Sequence, residues 1–74
     1  MILGKDLRVG DIVYGRQILA LRPYTVPATV LIDSVAERHP EGLPAWLAEL
    51  GPSRTQGPCG ITLFHGEYYP VGGR

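Results

Sequence analysis

Cysteine, lysine and tryptophan each occur once in this chain, as Cys59, Lys5 and Trp46. A lone cysteine excludes an internal disulfide, which leaves the core, self-association or a bound partner to stabilise so short a protein. Neither sign of charge is in excess, since seven basic and seven acidic residues cancel. The long-range field that draws DNA, RNA or an anionic membrane surface is therefore missing. A neutral surface also resists self-association poorly. No apolar run approaches the roughly 20 residues that a membrane span requires. The opening MILGKDLRVG lacks the apolar stretch and small-residue cleavage site of a secretory leader. A cytoplasmic protein is the expectation, and there an unpaired thiol is ordinary.

What is present points to a folded chain. The hydrophobic fraction is 45% and the charged fraction 19%, a balance found in globular rather than disordered sequences. With 74 residues there is room for a single domain spanning residues 1–74 and one small core, because domains of this size bury only about 60% of the surface their unfolded chains expose. Arginine outnumbers lysine six to one, and glycine and proline are abundant. That bias suggests a GC-rich genome, bacterial or viral.

In DLRVGDIV (residues 6–13) apolar side chains flank a Gly10-Asp11 pair, the pattern of a tight turn that leads into a strand, with Gly10 supplying a positive φ. Residues 12–22 alternate with apolar groups in both rows, which predicts one long strand bent at Gly15. Pro23 ends it, and Pro27 lies in the connection. Residues 29–35, TVLIDSV, are rich in β-branched side chains and read as the second strand; residues 36–42 read as a loop. In LPAWLAEL (residues 43–50), Leu43, Trp46, Leu47 and Leu50 recur at i, i+3, i+4 and i+7. This predicts a short amphipathic helix that opens with Pro44 in its first turn and closes at Gly51-Pro52. Residues 53–60 form a loop by composition. ITLF and EYYPV flank His65-Gly66, which predicts a two-residue hairpin that sets Leu63 against Tyr68 and Thr62 against Tyr69. Pro70 argues for an edge strand, and residues 72–74 should fray.

Several short strands with one helix in so few residues suggest a mainly β fold: a small, strongly bent antiparallel sheet with a short helical insertion at about residues 43–50. The opening DLRVGDIV resembles the start of many small SH3-like barrel modules, in which a hydrophobic-x-hydrophobic-Gly-Asp turn precedes the first barrel strand. The resemblance covers eight residues. It implies an SH3-like β-barrel and a tendency toward binding roles, with no particular ligand.

The residues that could carry chemistry do not form a strong motif. Cys59 with His65 has the types of a thiol and its base but lacks an orienting third group. Cys59, His39 and His65 match none of the usual zinc spacings. Asp33, Ser34 and His39 have the types of a serine triad without the glycine-flanked elbow that exposes a nucleophile. Gly57-Pro-Cys-Gly60 precedes a strand rather than the helix a phosphate loop needs. The Gly72-Gly73 pair resembles the diglycine tails of ubiquitin-like and sulfur-carrier proteins, but the chain continues to Arg74. Neither an enzyme, a cofactor nor a metal is implied.

The sharpest lead is the predicted helix. Its second face, Ala45, Ala48 and Glu49, carries a single charge, and a helix apolar nearly all round is normally covered on two sides. Trp46 is then either a core anchor or an interface anchor. The reading is a small non-enzymatic binding module, an inhibitor or adaptor, with a viral source suggested by its size and composition. It would dock Trp46, Leu43, Leu47, Leu50 and Ala45, with a sheet edge at Tyr68 and Tyr69, onto another protein or a second copy of itself. The alternative is a nucleic-acid-binding barrel in which Tyr14, Tyr24, Phe64, Tyr68 and Tyr69 stack on bases beside Arg16 and Arg22.

Overall fold

The computed structural model describes residues 1–72. In chain order they form β1 (Ile2–Leu3), a 3-10 turn (Gly4–Asp6), β2 (Ile12–Val13), β3 (Arg16–Val26), a second 3-10 turn (Ala28–Val30), α1 (Asp33–Arg38), β4 (Leu43–Leu50), β5 (Cys59–Phe64), β6 (Tyr68–Tyr69) and β7 (Val71–Gly72). The strands make a five-stranded sheet in the order β5-β4-β3-β2-β7 and a two-stranded sheet of β1 and β6. Every pairing is antiparallel. The fold is mainly β with one short α-helix, as the sequence implies; among the described residues the sheets do not close into a barrel.

The helix is not where the apolar stripe puts it. Residues 43–50 are an interior strand, β4, paired along its whole length with β3 and from Ala45 to Leu50 with β5. The stripe at i, i+3, i+4 and i+7 misleads because β4 carries apolar groups in both of its rows, Trp46, Ala48 and Leu50 in one and Leu43, Ala45 and Leu47 in the other, and such a run cannot be assigned by period alone. Trp46, Ala48 and Leu50 line the main core, while Ala45, Leu47 and Glu49 alternate with them on the other face.

Pro44 fits this interior strand because its missing N–H is replaced. The amide of His65 donates to the Pro44 carbonyl (3.1 Å), and the His65 carbonyl, which a residue other than proline would have bonded, accepts from Lys5 instead (3.2 Å). Pro23 also lies inside a strand rather than ending it, opposite Trp46. Hydrogen-bonded and non-hydrogen-bonded pairs alternate in an antiparallel ladder. Counting from the bond between Pro44 and His65, Pro23 turns its nitrogen away from β4, toward a side where β2 reaches only Arg16 and Gln17. Proline is tolerated there for the reason it is tolerated on an edge.

The expected single strand over residues 12–22 is instead a hairpin. Tyr14 (φ 54°) and Gly15 (φ 74°) form its two-residue turn between Val13 and Arg16, both in the left-handed conformation of a type I′ turn. The bend lies further on, at Leu19, where the register with β4 shifts between Ile18 and Ala20. Gly10 has the anticipated positive φ of 99°. In that same turn the buried Asp11 carboxylate accepts the Arg8 N–H (2.8 Å).

The expected strand over residues 29–35 is absent as well. Val26 pairs with Leu43, so residues 27–42 are an excursion that closes the hairpin of β3 and β4. Both sides of β4 are occupied, so a strand in the excursion could not pair there and its backbone groups need other partners. The chain meets them locally instead, through bonds such as Val30 N–H to Pro27 O (3.1 Å) and Ala36 N–H to Ile32 O (2.9 Å).

The turn at His65-Gly66 forms, but the strands beside it do not pair with one another as expected. Tyr69 and Tyr68 pair with Ile2 and Leu3. The Gly4 segment intervenes, its amide donating to the Glu67 carbonyl (2.7 Å). Val71 and Gly72 lie on a sheet edge, as Pro70 suggests, but Gly72 pairs with Ile12 rather than fraying. Gly73 and Arg74, the rest of the tail expected to fray, lie outside the described residues.

The core comprises Leu7, Val13, Ile18, Ala48, Leu50, Leu63 and Tyr69, with Trp46 and Leu21 packed against it. Full burial of a Val, Leu or Ile side chain stabilises by about 1.5–3 kcal/mol, against a total margin of about 5–15 kcal/mol for a typical domain. Gly4 allows the N-terminal segment to approach this core. A Cβ built there would lie 1.8 Å from the Phe64 carbonyl oxygen, whereas one at Gly66 would meet nothing within 4 Å. Gly4→Ala should therefore lower stability by about 2–3 kcal/mol, as overpacking does, while Gly66→Ala should change it by less than about 0.5 kcal/mol. Urea denaturation of the two variants checks the contrast.

Candidate docking surface

The structure answers the question of Trp46 in favour of the core. Its indole N–H donates to the Gly4 carbonyl (2.9 Å), and its ring lies 4.7 Å from the His65 ring, tilted at 53°. Leu50 and Ala45 are buried. These three residues, expected to dock a partner, are occupied by the protein itself. Leu47 is exposed on the opposite face of the sheet, Leu43 is half-buried at its end, and Tyr68 is exposed on β6. The predicted set is thus divided between two faces because β4 is a strand.

Tyr69 is buried. Its hydroxyl accepts the Phe64 N–H (2.8 Å) and donates toward Glu67 Oε2 (3.4 Å), and its ring meets the Tyr14 ring in a T-shaped arrangement with centroids 6.3 Å apart. Burial is the main reason its pKa is raised above 10.0; the neighbouring Glu67 and Tyr14 act in the same direction, against the Phe64 hydrogen bond. The five aromatic residues considered for base stacking do not gather. Tyr14 and Tyr69 meet at the β2 hairpin, whereas Phe64 and Tyr24 flank Ala45 on the other face of the sheet. Arg16 is engaged with the loop after β4, donating through Nε to the Gly51 carbonyl (2.9 Å) and through its other nitrogens to Gln56 and the Gly57 carbonyl.

The catalytic constellations are no closer together. Cys59 opens β5 and His65 follows its end, a separation of about 20 Å at strand rise. Asp33 and Ser34 are exposed at the start of α1, and His39 caps its other end. His39 Nδ1 lies 4.0 Å from Glu41. No cluster of three potential metal ligands exists among the described residues.

A shallow depression lies between Tyr14 and Val71, and two further concave regions lie on or beside the outer face of the sheet. One is the open outer face of the sheet, floored by Ala20, Gly60 and Leu47 between Arg22 and Glu49. The other, about 660 Å³, lies where the 27–42 excursion passes over the end of β4 and β5. Half-buried Leu31, Val35, Leu43 and Phe64 line the second, and Val30 and Ile32 stand at its mouth, 69% and 71% exposed. Its rim carries the carboxylates of Glu41 and Glu67. Sequence reading placed Val30 and Ile32 in a strand and missed this groove. The available signal was an apolar run inside a connection that has no strand partner. No family model, curated protein or solved structure matches the chain.

Two outcomes test this placement of the aromatics. Trp46→Ala should cost about 3 kcal/mol, and Trp46→Phe about 0.5–1.5 kcal/mol for the lost hydrogen bond, measured by thermal or urea unfolding. Because the folded state raises the Tyr69 pKa, it holds the phenolic proton more tightly than the unfolded chain. That contribution is complete below about pH 10 and is lost as pH rises from the unfolded pKa through the folded one. Tyr69→Phe should flatten the alkaline decline in stability measured between neutral and strongly basic pH.

Proposed function

We propose that this protein is a non-enzymatic binding module of the cytoplasm, an adaptor or inhibitor, that holds an apolar segment of another protein in the groove between the 27–42 excursion and the ends of β4 and β5. The exposure of Val30 and Ile32 beside half-buried Leu31, Val35, Leu43 and Phe64 carries the reading. Contiguous exposed apolar side chains at the mouth of a groove cost solvation in the free protein and mark interaction sites. The Glu41 and Glu67 carboxylates at the rim complement a partner whose apolar anchors are flanked by lysine or arginine. Val35 of α1 and the ends of β4 and β5 form the docking element, in place of a helix at residues 43–50 with a sheet edge at Tyr68 and Tyr69. The Gly10 turn and the bent antiparallel sheet support an SH3-like module whose sheet stays open.

Selection from a displayed random-peptide library tests this. Wild-type protein should enrich peptides with aliphatic or aromatic anchors beside basic residues. Ile32→Asp and Val30→Asp should weaken the enriched peptides at least tenfold, with thermal stability little changed because both side chains face solvent. Peptides without apolar anchors, or unchanged affinity for both variants, would overturn the assignment.

A further inference from the structure

The groove leaves another feature of the sheet unused. Among the described residues strand β5 (Cys59–Phe64) pairs with β4 on one side only, so its outer edge is an open template for a further strand. From the alternation set by His65 and Pro44, the outward backbone groups belong to the even-numbered residues. Two of these positions are closed. Pro58 has no N–H, and the Phe64 N–H is taken by the Tyr69 hydroxyl. Gly60 and Thr62, between them, each keep an outward donor and acceptor.

We propose that β5 pairs with the β5 of a second copy of this chain, antiparallel about a two-fold axis at Ile61. In that register Gly60 faces Thr62 of the other copy, so the two complete residues exchange their N–H and C=O groups and neither faces a proline or a capped amide. Ile61 meets its own equivalent in a non-hydrogen-bonded pair, and Cys59 meets Leu63. A two-fold interface requires a patch complementary to itself, and this edge is one. Between Pro58 and the capped Phe64 amide it contains no charged residue, proline or bulge, the devices that normally guard an exposed edge. The zero formal net charge adds no repulsion between copies. The other free edges compete poorly: β7 offers two residues behind Pro70, and the side of β3 that β2 does not reach is interrupted by Pro23, which lacks an N–H. A contact of one strand falls at the small end of protein interfaces, so the dimer should be weak and dependent on concentration.

Sedimentation velocity over a concentration series should show reversible dimerisation of the full chain. Thr62→Pro removes an outward N–H and leaves the β4 ladder intact, because the Thr62–Leu47 pair is not hydrogen-bonded; association should weaken at least tenfold. In a Cys59→Ser background, Ile61→Cys places two thiols on the axis, where mild oxidation should yield a disulfide dimer, since non-hydrogen-bonded pairs bring Cβ atoms close enough for one. Thr62→Cys in the same background should not cross-link, its counterpart lying two residues out of register. A monomer at every concentration, undiminished dimer in Thr62→Pro, or equal cross-linking of the two cysteine variants would overturn the proposal. Should Thr62→Pro not fold, the cross-linking contrast decides. Ile32→Asp should dimerise as wild type does, so failure at the groove and failure at the edge are separately readable.

Discussion

Strand β4 is bonded on both sides, to β3 and to β5, and the positions of the other elements follow from that. Its Trp46, Ala48 and Leu50 meet the core, and Trp46 also fixes the N-terminal segment by its bond to Gly4. Once both flanks of β4 are filled, the excursion between Val26 and Leu43 cannot add a strand there and must satisfy its own backbone. It does so with one 3-10 turn and a six-residue helix. A helix that short gains little from its own hydrogen bonds, which leaves it dependent on the contacts of Leu31 and Val35 over the sheet end.

The same arrangement produces both surfaces proposed to bind partners. Because the excursion covers only the Leu43 end of the outer face, it leaves an apolar groove beneath it and an uncovered sheet surface beyond. Because β5 is the last strand on its side, its edge is exposed to solvent or to a partner. Residues 64–69 restrict that edge at one end, where the Tyr69 hydroxyl occupies an amide that would otherwise be open. The two surfaces adjoin at Phe64, which ends β5 and lines the groove.

Residues with local, steric instructions were legible from sequence. Gly10 adopts the positive φ expected of it, Pro70 precedes an edge strand, and His65-Gly66 is a turn. The proposed groove was legible only in part. Leu43 lies in the groove, but Trp46, Leu50 and Ala45 are covered, and Val30 and Ile32 went unrecognised. Apolar pattern alone does not say which of two competing partners, the protein's own core or another molecule, will cover a side chain.

The amino-acid sequence by itself determined a neutral, disulfide-free, mainly β chain with turns at defined positions, because net charge, thiol count and the φ preferences of glycine and proline are properties of single residues. Tertiary structure alone decided that LPAWLAEL is extended while TVLIDSV is not. Strand pairing depends on neighbours distant in sequence, and residues 43–50 find two such neighbours whereas residues 29–35 find none. The groove and the open edge follow from that choice, which is why no local pattern foretold them.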